Sequence, residues 1–128
     1  MREAVIVSTA RTGIGRAFRG ALNHTKSPTM VAHAITHAVQ RAGIEGAEVE
    51  DAIIGCVLTA GTAGMNLARH SVIAAGLPVS VSGQTMDRNP APGQISATRS
   101  DSCGGQRKTS AIRRIGPHRR TTGFGRFC

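Results

Sequence analysis

Along the first 86 positions the apolar residues fall into runs and stripes of recognisable period. Ala4-Val5-Ile6-Val7-Ser8 is a short β-branched run and predicts a buried strand. A Gly-rich, basic loop follows from Arg11 to Thr25. Ser27-Pro28 predicts a helix start, with Ser27 as N-cap and Pro28 at the first helical position, where its missing N–H costs no ladder bond. Val31, Ile35, Ala38, Val39 and Ala42 recur at spacings of three and four and so share one helix face. Gly43 is placed to stop that helix, since a left-handed cap costs glycine little. Glu48, Glu50 and Asp51 lead into a second apolar run, Ala52 to Leu58, which predicts a second strand. Asn66 is expected to cap a second helix reaching about Ala75, ended by Gly76 and Pro78. Val79 to Met86 alternates loosely and predicts a third strand. Strands alternating with helices make an α/β layer of βαβαβ order with a parallel sheet.

Beyond Met86 the pattern ends. Residues 87–128 contain no Leu, Val or Met, and their only large apolar residues are Ile95, Ile112, Ile115, Phe124 and Phe127. Neither a helical nor an alternating period runs through them. Such a segment buries too little apolar surface to offset the entropy of ordering it, so an unstructured tail is expected. The division is therefore into residues 1–88, one folded unit, and residues 89–128, an Arg/Gly/Ser-rich tail.

Charge follows the same division. The formal net charge is +9, but residues 1–86 carry seven Lys and Arg against five Asp and Glu, while residues 87–128 carry nine against two. The pairs Arg113-Arg114 and Arg119-Arg120 are suited to phosphate contacts. Aromatic platforms for stacking single-stranded bases are nearly absent: the chain has no Trp, no Tyr and three Phe. An Arg-rich module that binds nucleic acid nonspecifically is thus one alternative reading, and a non-catalytic interaction domain is another. The three cysteines, Cys56, Cys103 and Cys128, are odd in number and match no disulfide or zinc spacing. No stretch approaches the roughly 20 apolar residues of a membrane span, and the opening residues lack a secretory apolar core. A reducing, cytoplasmic setting with no membrane partner is expected.

Three further signals invite a chemical reading. Thr12-Gly13-Ile14-Gly15 after a strand hints at a dinucleotide turn, but position 18 is Phe where the fingerprint needs glycine. The acid that would bind the ribose is also missing, because no Asp or Glu stands between Glu3 and Glu45. A reductase is disfavoured, and a loop whose glycines allow tight turning is expected. His33 and His37 have the i, i+4 spacing of a helical metal pair but no third ligand in a recognisable motif, so a solvated face is expected and no metal. Cys103, in Asp101-Ser102-Cys103-Gly104-Gly105, reads as an exposed thiol in the tail, and Cys56 as an inert packing residue in a strand.

Through residue 88 the pattern resembles the thiolase family. Ala4-Val5-Ile6-Val7-Ser8-Thr9-Ala10-Arg11-Thr12 is similar to that family's first strand and Arg-Thr turn, with Gly13 where the family has Pro, then Ile14-Gly15. Ile54-Gly55-Cys56-Val57-Leu58-Thr59-Ala60-Gly61 resembles its second strand and loop. Asn66-Leu67-Ala68-Arg69 and Ala74-Ala75-Gly76-Leu77-Pro78 resemble its next helix and stop. The resemblance implies a partial thiolase-like fold and an ancestral acyl transfer between coenzyme A thioesters through a cysteine acyl-enzyme. It implies acyl-CoA as substrate, no further cofactor, and a homo-oligomer. In the family a strand ends and a helix then opens on Cys in a Cys-small-Ser-Gly context, where the helix N-terminus favours the thiolate. The corresponding segment here is Asp87-Arg88-Asn89-Pro90-Ala91-Pro92-Gly93, with Pro90 at the cysteine's position. The family's acid–base His and second Cys lie in a C-terminal half that these 128 residues do not reach. No residue is therefore expected to carry catalysis. The compositional break after residue 88 suggests a frameshift in GC-rich coding DNA.

Overall fold

The computed structural model describes residues 6–90 together with Pro92, Gly93 and Ser96. Four regular elements follow in chain order: helix α1 (Ser27–Ala42), strand β1 (Asp51–Cys56), helix α2 (Leu67–Ala74) and strand β2 (Ser82–Asp87). Short 3-10 turns at Gly46–Glu48 and Gly61–Ala63 lie between them. The strands are parallel and pair from Asp51↔Ser82 to Cys56↔Asp87, with α2 as the crossover. The chain is thus α/β, as the alternation of strand and helix patterns predicts. Of the expected βαβαβ order, the described residues realise the last four elements.

The difference lies at the first strand. Ala4 and Val5 are outside the described residues, while Ile6, Val7 and Ser8 join no ladder, and Ile6 is 74% exposed. A strand needs a neighbour for its N–H and C=O groups, and among the described residues the sheet is limited to β1 and β2. A side-chain bond, Arg41 Nη1 donating to the Thr9 carbonyl at 2.8 Å, ties the segment to the end of α1.

α1 begins one residue earlier than the Ser-Pro signature suggests. Lys26 is the extended N-cap and Ser27 is already helical. The Ser27 hydroxyl lies 2.8 Å from Thr62 Oγ1, joining α1 to the turn before α2 instead of capping its own helix. The stop is as expected: Gly43 has φ 64°, and its N–H donates to the Gln40 carbonyl. Val31, Ile35 and Val39 reach the core from the predicted face, whereas His33 and His37 are exposed.

α1 packs on α2, and α2 packs on both strands. The core contains Ile35, Ala52, Ile54, Cys56, Leu67, Val72 and Val81. Since side chains alternate across a strand, Ala52, Ile54 and Cys56 face the helices while Ile53 and Gly55 face the other way. Gly55 is nevertheless covered: a Cβ there would stand 2.4 Å from the Pro92 carbonyl carbon and 2.7 Å from the Gly93 nitrogen. β1 is buried from Ala52 to Cys56, as a near-continuous apolar run in a parallel sheet should be. β2 starts later than its predicted span. Val79 is 79% exposed, and the Val81 N–H donates to the Pro78 carbonyl in a turn, so pairing begins only at Ser82.

Candidate functional site

Both strands end at the same edge of the sheet. In an open parallel sheet that carboxyl edge is where ligand-handling loops collect. Cys56 and Asp87 are register partners there, and Thr59 Oγ1 donates to Asp87 Oδ2 at 2.8 Å, holding the loop after β1 against the end of β2. The chain bends at Asn89 and Pro90, and Pro92, Gly93 and Ser96 are helical. Pro92 and Ser96 are buried, and Ser96 Oγ donates to the Gly93 carbonyl at 2.9 Å. A proline at 92 is tolerated because it stands at most two residues inside this turn, where no ladder bond is owed by its nitrogen. The site is thus a strand end, a bend and a helical turn seated on the Gly55 backbone. At its bend stands Pro90, which offers neither a nucleophile nor an N–H.

The described thiol near this edge is Cys56. It is 1% exposed, and its Sγ donates to the Leu58 carbonyl at 3.3 Å. It belongs to the core cluster with Ile54, Leu67 and Val72. The packing role expected of it agrees with this placement. Cys103, Cys128 and the arginine pairs of the tail lie outside the described residues; of the tail expected to be unstructured over residues 89–128, Asn89, Pro90, Pro92, Gly93 and Ser96 are described, and the last three are helical. His33 and His37 stand ring to ring on α1, centroids 4.4 Å apart at 70°. Among the described residues no group of three or more His, Cys, Asp or Glu is arranged to hold a metal. Thr12 to Gly15 lies in irregular loop, and a Cβ on Gly13 would meet nothing within 4 Å, so no close backbone approach requires that glycine. Among the described residues no helix is long and apolar enough to cross a membrane.

The scaffold behind the edge depends on a polar network that the sequence pattern showed only in part. Asn66 caps α2 as expected, its Oδ1 accepting the Arg69 N–H at 3.1 Å. The same oxygen also accepts from Thr85 Oγ1 at 3.0 Å, and Asn66 Nδ2 donates to the Gly83 carbonyl at 2.8 Å. Thr85 Oγ1 in turn accepts the Ala68 N–H at 3.0 Å. Two of the N–H groups orphaned at the start of α2 are therefore satisfied by β2 and the cap together. Arg69 then reaches the approach to β2, donating from Nη2 to the Val79 carbonyl at 3.0 Å and from Nη1 to the Val81 carbonyl. Gly83 lets the two elements meet, since a Cβ there would stand 2.7 Å from the Arg69 nitrogen. The Asn cap was readable from its position before an apolar stretch. Its cross-links to Gly83 and Thr85, 17 and 19 residues on, leave no local sequence signal.

Residues 4–100 match the family model described as thiolase, N-terminal domain. An acetyl-CoA acetyltransferase of Cupriavidus necator is 43% identical over 88 residues, which is 69% of this chain and 22% of the relative. A 3-ketoacyl-CoA thiolase of Saccharophagus degradans and another of Bacillus subtilis are each 39% identical over 88 residues, covering 68% and 69% of this chain and 22% of each relative. These matches define the class of protein, an α/β chain with a thiolase N-terminal domain. The chain belongs to the thiolase family. It spans about 22% of the length of these curated relatives.

Proposed function

We propose that this chain carries the opening layer of a thiolase-type acyltransferase in a catalytically silent form. The observation that supports this is Pro90 at the bend between β2 and the helical turn, in line with the position where the family's cysteine opens its helix. Acyl transfer by this route needs a thiolate to attack the thioester carbonyl and become acylated. A proline has no group that can do so, and Cys56 is buried with its thiol turned to a backbone carbonyl. The ancestral reaction, inferred from the relatives' names, is acyl transfer between coenzyme A thioesters, with acyl-CoA as substrate. The relatives align over about 88 residues, whereas the family model reaches residue 100 and Pro92, Gly93 and Ser96 sit in a helical turn on Gly55. In this reading the layer therefore extends past residue 88, and a shift of reading frame lies behind the change of composition in the Arg-rich remainder.

Two measurements test the reading. In the first, the chain is incubated with acetyl-CoA and its intact mass recorded, alongside an assay of acetoacetyl-CoA cleavage by free coenzyme A. Neither an acetyl adduct nor turnover is expected; an adduct on any cysteine, or turnover above the buffer rate, would overturn the proposal. In the second, the coding DNA is sequenced across codons 84–95 and the other frames translated. Restoration of Cys in a small-Ser-Gly context, with a long thiolase-like continuation, supports the frameshift. Its absence removes the frameshift and moves the Arg-rich binding module, so far the alternative, to the front.

A further inference from the structure

Beneath the loop after Thr9 lies a cavity of about 640 Å³, a size suited to small molecules. Its floor is core: Val31 and Leu67 are 4% and 2% exposed. Leu22 and Met30, half-buried, extend the apolar wall, and Arg11 and Arg16 stand on the exposed loop at its rim. None of the lining residues is acidic. The charge imbalance extends well past the rim. No Asp or Glu occurs between Glu3 and Glu45, while that stretch holds Arg11, Arg16, Arg19, Lys26 and Arg41. α1 presents no acidic residue in its first turn, from which Met30 lines the cavity.

We propose that this cavity binds an amphipathic anion, a saturated hydrocarbon tail carrying a carboxylate head. The tail lies against Leu22, Met30, Val31 and Leu67, and the carboxylate meets Arg11 and Arg16. An apolar floor alone would accept any apolar tail of fitting size. The cationic rim selects among head groups, because guanidinium pairs with carboxylate by parallel N–H···O bonds. A cationic head of equal tail length would meet only like charge. The inference does not involve Pro90 or any catalytic group, so it stands or falls independently of the silent-enzyme reading.

Calorimetric titration of the full chain with dodecanoate, below the concentration at which it forms micelles, is the test. Dodecanoate should bind saturably at one site, and dodecyltrimethylammonium should bind at least about tenfold more weakly, equivalent to about 1.4 kcal/mol. The double variant Arg11→Ala/Arg16→Ala should lose about tenfold in dodecanoate affinity and bind the two amphiphiles alike. Ala17→Trp places a bulky ring into the cavity from an exposed loop position, so it should block dodecanoate while leaving the circular dichroism spectrum and unfolding midpoint unchanged. Arg88→Ala, beyond β2, should bind as the parent does. Absence of dodecanoate binding, equal binding of the cationic amphiphile, or unchanged affinity in both loop variants would each overturn the proposal.

Discussion

Single positions in this protein differ sharply in what they tolerate, and geometry decides which do. At Gly83 a methyl group would fall 2.7 Å from the Arg69 nitrogen and 2.9 Å from its Cα, both backbone atoms that cannot swing aside. Gly83→Ala should therefore lower stability by about 1–3 kcal/mol through forced separation of α2 from β2. Gly13→Ala, with nothing within 4 Å, should stay within about 0.5 kcal/mol of the parent. Urea midpoints of the two variants check the contrast, and equal midpoints would show that α2 does not sit on Gly83 as described. Thr85 gives a second residue-scale prediction. Its hydroxyl accepts from the Ala68 N–H and donates to Asn66 Oδ1, so Thr85→Val removes an acceptor from a partly buried helix N–H. A loss of about 1–3 kcal/mol is expected, and Thr85→Ser should recover most of it. If Thr85→Ser were no better than Thr85→Val, methyl packing and not the hydroxyl would be what matters there. Neither role was legible beforehand: Gly83 and Thr85 look alike in a loosely alternating run, and only their partners 14 to 19 residues away separate them.

Among the elements, legibility tracks how local the cause is. α1 was readable to within one residue because its apolar stripe, its Pro and its Gly43 act through neighbours three and four positions away. The one-residue error arose from Thr62, 35 residues on, which takes up the hydroxyl of Ser27. β1 was readable because an apolar run covered on both faces has few other outcomes, though it ends at Cys56, paired with Asp87, two residues short of the apolar run. β2 was displaced because Val79 and Val81 read as strand, while the Pro78 turn and the grip of Arg69 set that stretch aside. Of the candidate site, the proline at position 90 was visible from residue order alone. The seat that Gly55 provides for the following turn was not, because it joins positions that no local pattern couples. The helix stop supplies the prediction at this scale. Gly43 has φ 64° and open space where a Cβ would be, so Gly43→Ala tests conformational cost with no steric term. A loss of about 1–2 kcal/mol is expected from denaturant unfolding. A neutral result would mean that α1 does not end in the left-handed cap.

At the scale of the molecule the question is what the layer does with apolar surface its own helices leave uncovered. The core is small and aliphatic, built on α1, α2 and two strands. Leu58 and Met65, 72% and 89% exposed, lie on one connection, the loop that carries the chain from β1 to α2 at the carboxyl edge. Val57 on the same loop is 36% exposed, so the connection presents apolar side chains instead of the polar ones that usually solvate such a turn. Beside it β2 has β1 on one side and, among the described residues, no strand on the other. Open strand edges and apolar loops are the features that drive chains to associate. The chain should therefore self-associate with rising concentration in sedimentation velocity runs, and Leu58→Lys/Met65→Lys should shift the distribution toward monomer. Both side chains already face solvent, so this variant should leave the unfolding midpoint nearly unchanged, which separates a surface effect from a loss of fold. Ile35→Ala, which empties a core position 2% exposed, should act in the opposite sense. It should cost about 2–5 kcal/mol and increase association by exposing more of the interior. A parent chain that stays monomeric over the whole concentration range would show that the carboxyl edge is covered by residues of its own chain, and that the apolar loop is not what the molecule must hide.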